Sequence, residues 1–246
     1  MTASSFAVFS DIHSNLEALA AVLEDIATHG VRRMVCLGDI VGYAANPGKC
    51  VNRIRKLGCA VIRGNHDEAA SGNCSLEDMR DVAKTGIEFS RRKLTPAQRE
   101  WLAGLPIAAT DGQCEFVHAS LYNPSSWPYI FGAEDAMEHF TVQRCRIAFC
   151  GHTHVPMVAH LNGTGNLRFA RGRGRVPLFP GGKTLVNVGS VGQPRDGQPQ
   201  ACYVLCDPDA DTVEFRRVDY DIARTRRKIM RAKLPRALAE RLARGE

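Results

Sequence analysis

The chain has 246 residues, of which 44% are hydrophobic and 24% charged, so it is long enough to bury one large core, and we expect a single domain over residues 1–246. No stretch approaches the roughly 20 apolar residues of a membrane helix, and the first residues have no signal-peptide pattern. A soluble, cytoplasmic protein is expected. The nine cysteines form no Cys-x-x-Cys pair, which indicates reduced thiols and excludes a zinc ribbon.

Short apolar runs alternate with helical stretches over the first 62 residues. We predict strands at 6–9, 34–37 and 60–62, and helices at 14–29 and 47–57. The first helix has apolar residues at helical spacing and Gly30 as its C-cap, and the second begins with a proline in its first turn. This βαβαβ pattern predicts parallel strands.

The remaining chain changes character twice. Residues 76–103 are predicted to be helical, with a new start at Thr95-Pro96. Short β-rich segments separated by glycine, proline and asparagine then predict a second, mostly antiparallel sheet; they lie at 114–117, 147–150, 155–161, 167–170, 184–188, 201–205 and 212–218. Residues 219–246 return to a helical pattern, with Pro235 between two pieces.

Five polar clusters each follow a predicted strand. They are Asp11-Ile12-His13, Gly38-Asp39, Gly64-Asn65-His66-Asp67, the single His118 and Gly151-His152-Thr153-His154. Because the carboxyl ends of adjacent parallel strands form one crevice in an α/β sheet, we expect these side chains to converge there.

Burying several carboxylates, an amide and imidazoles together would be costly if these groups had no partners. Bound divalent cations would offset this cost. Mixed oxygen and imidazole ligands suit Mn, Fe, Zn, Co or Ni. The alternative is that each histidine is a satisfied polar residue at a strand end. That explanation is reasonable for one cluster and weak for five in this order. His29, His139 and His160 lie outside the clusters and are expected to be structural or exposed.

These residues, in this order, resemble the calcineurin-like metallophosphoesterases. The stretches at 38–43 and 187–197 look like a small bacterial branch related to diadenosine tetraphosphatase and protein phosphatases. The resemblance implies a four-layer αββα sandwich of two mixed sheets flanked by helices. It also implies two divalent ions, for which we favour manganese: Asp11, His13 and His154 would hold the first, Asn65, His118 and His152 the second, and Asp39 would bridge them.

A hydroxide bridging the two ions would then attack a phosphomonoester or phosphodiester of a small molecule or nucleotide. His66 and Asp39 are the candidate catalytic residues, and His66 could protonate the leaving oxygen. Arg63 and Tyr43 are candidate substrate-binding residues. The protein-phosphatase branch has Asp-Arg where this chain has Gly42 and Tyr43, so the carboxylate that would orient His66 is missing.

Three weaker features have two interpretations each. The aromatic segment 119–132 could wall the site, although we favour a loop packed on the core. The arginine-rich segment 163–183 could steer anions, but a hairpin with solvated charges is the simpler interpretation. After residue 214 there are 11 Arg or Lys against 4 Asp or Glu, which carries the net charge of +6. We expect the apolar stripe of this tail to pack on the sheet or on another copy of the chain, not on nucleic acid.

Two competing functions follow from these alternatives. A degenerate, non-catalytic scaffold of the same fold could bind a protein partner, but all seven ligand positions are filled here. A nuclease acting on RNA or DNA would use the basic tail, and its binding would weaken steeply with salt. We expect a small phosphate ester as the substrate, no membrane or nucleic-acid partner, and leave a homo-oligomer open.

Overall fold

The computed structural model describes residues 2, 4–72, 74–77 and 79–246. Twelve strands are present in it: β1 Phe6–Phe9, β2 Arg33–Cys36, β3 Ala60–Val61, β4 Ala108–Asp111, β5 Cys114–Val117, β6 Ile147–Cys150, β7 Met157–Asn162, β8 Leu167–Arg171, β9 Gly174–Pro177, β10 Gly182–Asn187, β11 Ala201–Asp207 and β12 Thr212–Val218. The described residues also form eight α-helices: α1 Leu16–Thr28, α2 Pro47–Leu57, α3 Asn65–Ser71, α4 Asp81–Lys93, α5 Pro96–Ala103, α6 Ala133–Val142, α7 Ile222–Arg231 and α8 Arg236–Arg244.

The strands form two six-stranded mixed sheets, in the orders β3-β2-β1-β11-β12-β9 and β4-β5-β6-β10-β7-β8. Strand β1 shows how they stack. Phe6 and Val8 point into the core between the sheets, whereas Ala7 and Phe9 point into the core under α1 and α2. Successive side chains of a strand point to opposite faces, so β1 is buried on both. Helix α6 covers the outer face of the second sheet, and the four-layer αββα sandwich is confirmed.

The core between the sheets is aromatic at its centre. The Phe6 ring meets the rings of Phe116 and Phe149 edge-on, with centroids 6.1 and 5.8 Å away. Phe116 and Phe149 stack on each other at 5.6 Å. Edge-on and offset-stacked rings pack favourably beyond their buried area, so this trio fixes how the two sheets face each other.

Strand partners differ from the prediction in the second half of the chain. The predicted parallel direction of the first three strands is confirmed. Strands β11, β12 and β9 also join the first sheet, where β11 pairs antiparallel to β1. The second sheet contains parallel pairs, β5 with β6 and β6 with β10. The second sheet is mostly antiparallel, as predicted, but the assignment of the segments 201–205 and 212–218 to it was wrong, because a strand's hydrophobic pattern does not identify its neighbour.

Several elements were missed or misplaced. Helices α3 and α6 and strands β4 and β9 were not predicted. The helix expected from residue 76 begins at Asp81, and residue 78 lies outside the described residues. The arginine-rich segment is not a hairpin, because β8 pairs with β7 in one sheet and β9 with β12 in the other. Its arginines are exposed, as expected.

The tail forms α7 and α8, whose apolar residues pack on the loop after β2 and on α4. Ile229, Leu238 and Leu242 are buried there, whereas Met230 of the predicted stripe is 49% exposed. All nine cysteines are free, and six of them are buried. Within the described residues, no helix combines the length and hydropathy needed to cross a membrane.

Candidate metal centre

The candidate ligands meet where the carboxyl ends of parallel strands from both sheets come together. Asp11 follows β1, Asp39 follows β2, and Asn65 opens α3 after β3. From the other sheet, His118 follows β5 and His152 follows β6. Strand adjacency thus brings together residues that are far apart in the chain.

The first group of side chains contains Asp11, His13 and His154. The Nε2 atoms of the two histidines are 3.0 Å apart, and His154 Nε2 lies 3.2 Å from Asp11 Oδ1. His13 Nε2 is also 3.6 Å from Asp39 Oδ2. One imidazole atom from each histidine and one carboxylate oxygen therefore face a common point.

The second group contains Asp39, His118 and His152. His118 Nε2 lies 3.4 Å from Asp39 Oδ2 and 3.2 Å from His152 Nδ1. The same Asp39 oxygen is therefore close to a histidine of each group. Asn65 lines the cavity beside His152, and its Oδ1 is buried without a hydrogen-bond partner among the described residues.

Backbone carbonyls orient three of the imidazoles. The Nδ1 atoms of His13, His118 and His154 lie 3.1, 2.8 and 2.6 Å from the carbonyl oxygens of Val41, Leu37 and Gln193. A carbonyl only accepts, so each Nδ1 carries the proton, and a neutral ring then has a lone pair on Nε2. A hydrogen bond of this kind sets the tautomer in metal-binding histidines.

This arrangement fits divalent cations. Two unprotonated Nε2 atoms at 3.0 Å would repel each other unless a cation lay close to both. Asp11 Oδ1 is buried and has no hydrogen-bond partner among the described residues. A buried carboxylate oxygen and converging lone pairs are costly without a positive partner, and oxygen and imidazole donors are ligands that Mn, Fe and Zn accept.

The other oxygens of the two aspartates are already used by the protein. Asp11 Oδ2 accepts the His152 backbone N–H at 3.0 Å, and Asp39 Oδ1 accepts the His66 backbone N–H at 2.8 Å. Each carboxylate thus ties its own loop to a neighbouring loop and keeps one oxygen for the centre.

Backbone conformation also marks this centre. Five of the seven candidate ligands have a positive φ, between 48° and 67°, namely Asp11, His13, Asp39, His152 and His154. Non-glycine residues rarely adopt this region, and such strain persists where the surrounding structure imposes it, often at functional sites. Gly64 and Gly151 allow the loops to approach, because a Cβ at either would collide with the carboxylate of Asp39 or Asp11 respectively.

Burial and neighbouring charges shift the pKa values of the ionisable groups. Burial alone would raise the pKa of the Asp11 carboxyl, but His154 and His13 hold this pKa well below its ordinary value. Burial alone would lower the pKa of His118, but the neighbouring Asp39 raises it to about 9. Burial lowers the pKa of His152 to about 3. The centre therefore combines anionic carboxylates with one imidazole that resists protonation, His152, and one that the aspartates hold in its protonated form, His118.

His66 is held by packing, not by a carboxylate. Its ring packs against the rings of both His13 and Tyr43, with both centroid distances 4.7 Å. Its Nδ1 faces Gly42, whose φ is +104°, and a Cβ at Gly42 would collide with that nitrogen. The aspartate of the protein-phosphatase branch could not be placed here without moving His66.

Sequence reasoning missed a supporting carboxylate. Asp67 Oδ1 accepts the backbone N–H groups of Ile40 and Val41 at 2.9 and 3.2 Å, and its Oδ2 accepts that of Gly64 at 3.2 Å. It thereby fastens the Asp39 loop to the start of α3. Its position within the Gly-Asn-His-Asp cluster was the available signal.

The second noted stretch, 187–197, also supports the centre. Asn187 Nδ2 donates to the Gly151 carbonyl at 2.6 Å, and Ser190 Oγ donates to the Asp11 carbonyl at 2.9 Å. The Gln193 carbonyl orients His154. This segment therefore connects the loops of both sheets.

Of the two candidate substrate-binding residues, only Tyr43 lines the cavity over the candidate ligands. The Tyr43 ring contacts that of His13 in a tilted arrangement with centroids 4.5 Å apart. Arg63 does not line the cavity; its guanidinium donates to the Ala103 carbonyl at 2.8 Å and lies 3.6 Å from the Glu68 carboxylate. These contacts direct Arg63 to α5 and α3, so the expected phosphate contact is not supported.

The aromatic segment 119–132 forms a wall of the site, contrary to the interpretation favoured from sequence. Tyr129 stacks on the ligand candidate His152 with centroids 4.1 Å apart, and Trp127 meets His118 edge-on at 5.9 Å. The Trp127 indole N–H donates to Glu68 at 3.2 Å. Both rings line a cavity of about 530 Å³.

The histidines outside the clusters are structural. His139 is fully buried, and its Nδ1 accepts the Leu121 backbone N–H at 3.2 Å, which anchors the start of the aromatic wall. His160 is buried beside Thr184, at 3.1 Å. His29 is the C-cap of α1, 3.7 Å from Asp25.

Comparisons with known proteins agree with this geometry. The family model of the calcineurin-like phosphoesterase superfamily domain matches residues 5–211. The uncharacterised protein MJ0912 of Methanocaldococcus jannaschii is 39% identical, with all of both chains covered. A crystal structure of a metallophosphoesterase from Sphaerobacter thermophilus is 36% identical, with a TM-score of 0.88 and all of both chains covered.

A more distant structure shares the fold alone. The hypothetical protein PH1004 from Pyrococcus horikoshii is 22% identical, with a TM-score of 0.78 over 98% of each chain. The family match extends over most of the chain and includes every candidate ligand. The chain therefore belongs to the calcineurin-like phosphoesterase superfamily.

Proposed function

We propose that the protein is a phosphoesterase that binds two divalent cations and hydrolyses a small phosphomonoester or phosphodiester, including nucleotides. The observation that carries this proposal is the position of Asp39, whose Oδ2 lies 3.6 Å from His13 and 3.4 Å from His118. A carboxylate oxygen between two groups of ligands suits a bridge between two ions.

In this proposal Asp11, His13 and His154 hold one ion, and Asn65, His118 and His152 hold the other. We favour manganese among the metals that such mixed ligands accept. When bound, two such ions activate a water nucleophile and offset the charge that develops on the phosphoryl oxygens. The protein supplies the fixed ligand geometry, through backbone carbonyls and the second oxygens of Asp11 and Asp39.

His66 is placed to act on the leaving group. It lines the cavity, and one of its ring nitrogens lies within 4.8 Å of ligand atoms of His13 and Asp39. A donor at this position could protonate the leaving oxygen of a bound ester. Packing against Tyr43 and His13 keeps the ring in place without a carboxylate partner.

The cavity limits the kind of substrate. Its volume of about 530 Å³ suits a small molecule, and its wall includes the rings of Tyr43, Trp127 and Tyr129. Aromatic walls accept a planar group such as a nucleobase or an aromatic leaving group. These features favour a small ester over a folded phosphoprotein.

The test is hydrolysis of para-nitrophenyl phosphate and its bis-ester by the full chain supplemented with Mn²⁺. Asp39→Asn is expected to lose nearly all turnover and to bind Mn²⁺ at least about tenfold more weakly in calorimetry, because a ligand charge is lost. Asp219→Asn, an exposed change of the same kind, is the control and should match the parent protein. Parent-like turnover and metal binding in Asp39→Asn would refute the proposal.

A further inference from the structure

A second cavity opens beside the candidate metal centre. Its volume is about 260 Å³, and its lining includes Tyr43, Arg80, Tyr129, Phe131, Arg195 and Arg241. We call it the arginine cavity. Tyr43, Arg80 and Tyr129 also line the larger cavity over the candidate ligands, so the two cavities adjoin each other.

Arg195 brings positive charge to the junction of the two cavities. Its guanidinium hydrogen-bonds to Gln193 Oε1 at 2.9 Å and to the Tyr43 hydroxyl at 3.3 Å. Both partners are neutral. Its backbone N–H donates to the carbonyl of the ligand candidate His154 at 3.2 Å, which fixes this arginine next to the centre.

Arg241 approaches the same cavity from α8. Burial lowers the pKa of its guanidinium, and Arg195 and Arg80 lower it further, while Tyr43 and Glu246 act in the opposite direction. Among the residues that the structure describes, neither Arg195 nor Arg241 forms an ion pair. Partly buried like charges are unfavourable together, and an anion bound between them would relieve both the repulsion and the desolvation.

We propose that the arginine cavity binds a second phosphate group of the same substrate whose scissile phosphate lies at the metal centre. This inference rests on the proposed function and narrows its substrate class to phosphate esters that carry at least two phosphate groups. Guanidinium groups bind phosphate oxygens through paired, charge-assisted hydrogen bonds. The two arginines come from the 187–197 segment and from α8, so the tail contributes to substrate recognition.

The test uses non-hydrolysable probes. Alkane bisphosphonates with two, three and four carbons between the phosphonates are compared with propylphosphonate, by calorimetry on the Mn²⁺-supplemented full chain. At least one bisphosphonate is expected to bind about tenfold more tightly than the monophosphonate, since a hydrogen-bonded charged contact changes affinity by roughly tenfold to a hundredfold. Arg241→Gln and Arg80→Gln should remove most of this preference.

The matched control is Arg236→Gln on the same helix. Arg236 is 79% exposed and contacts Glu240 at 2.6 Å, away from the cavity, so its loss should leave the bisphosphonate preference as in the parent protein. Equal preference in Arg241→Gln and Arg236→Gln, or no preference in the parent protein, overturns the inference.

The probes also separate this inference from the proposed function. A protein that hydrolyses para-nitrophenyl phosphate but shows no bisphosphonate preference refutes the arginine cavity as a phosphate site and leaves the hydrolase intact. A protein that shows the preference but hydrolyses no ester refutes the hydrolase alone.

Discussion

Replacing Gly151 with alanine tests how closely the two sheets' loops must approach at the centre. A Cβ on Gly151 would lie 2.7 Å from the Ser10 Cβ and still closer to the Asp11 carboxylate. Carbon atoms make contact near 3.5 Å, so the loops must separate by about 1 Å. Metal ligands tolerate deviations of only about 0.2 Å, so the group formed by Asp11 and His154 should no longer bind its ion well.

The expected cost of overpacking is about 1–3 kcal/mol, which for a chain of this size lowers the Tm by about 2–4 °C per kcal/mol. The assay is thermal unfolding with EDTA and with Mn²⁺, together with turnover of para-nitrophenyl phosphate. We expect Gly151→Ala to lose most of the stabilisation by Mn²⁺ and at least about 90% of turnover.

Gly104→Ala is the matched control for this substitution. Gly104 has a φ of −80°, and the nearest atom to its Cβ would be 3.6 Å away, an ordinary contact. The Gly104→Ala variant should match the parent protein in Mn²⁺ stabilisation and turnover. If Gly151→Ala kept the parent's Mn²⁺ stabilisation and turnover, the reasoning from loop approach would be wrong.

Three further outcomes are expected. Gly42→Ala should reduce turnover about a hundredfold, measured with para-nitrophenyl phosphate, because the new Cβ displaces His66. Asp25→Asn should lower the free energy of unfolding by about 1 kcal/mol in urea at pH 7. Burial alone would raise the pKa of Asp25, but hydrogen bonds from Tyr203 and Arg216 hold that pKa below its ordinary value. The stability difference between parent and variant should therefore shrink as the pH falls below about 3.9. Trp127→Leu should raise KM without changing Mn²⁺ affinity, since the ring forms the wall and not the centre.

Contradictory results for these three are equally specific. Full turnover in Gly42→Ala would mean that His66 has no part in the reaction or that its ring can move without effect. A pH-independent difference for Asp25→Asn would show that the ion pair contributes nothing to stability. An unchanged KM in Trp127→Leu would remove the aromatic wall from substrate binding.

The sequence alone was sufficient for the βαβαβ unit of the first 62 residues and for the choice of the candidate ligands. Strand β1 and helix α2 were predicted with their observed bounds, because local hydrophobic periodicity and a proline in the first helical turn are local signals. Asp11 and Asp39 could be placed together because parallel strands deliver their carboxyl ends to one edge.

Tertiary structure alone decided which partners the strands of the second half of the chain have. Strand β11 is buried along its whole length, and that pattern shows two covered faces without showing that β1 is its partner. Pairing between residues almost 200 positions apart depends on the packing of the complete core, which no local window contains.

The surroundings of the centre were likewise set by distant contacts. Tyr129 lies on His152, and Arg63 is turned away from the cavity to α5. Arg241, from the last helix, reaches the arginine cavity beside Arg195. Side-chain direction and charge proximity depend on distances in space, so the sequence determined which chemical groups were available, and only the folded chain determined which of them meet.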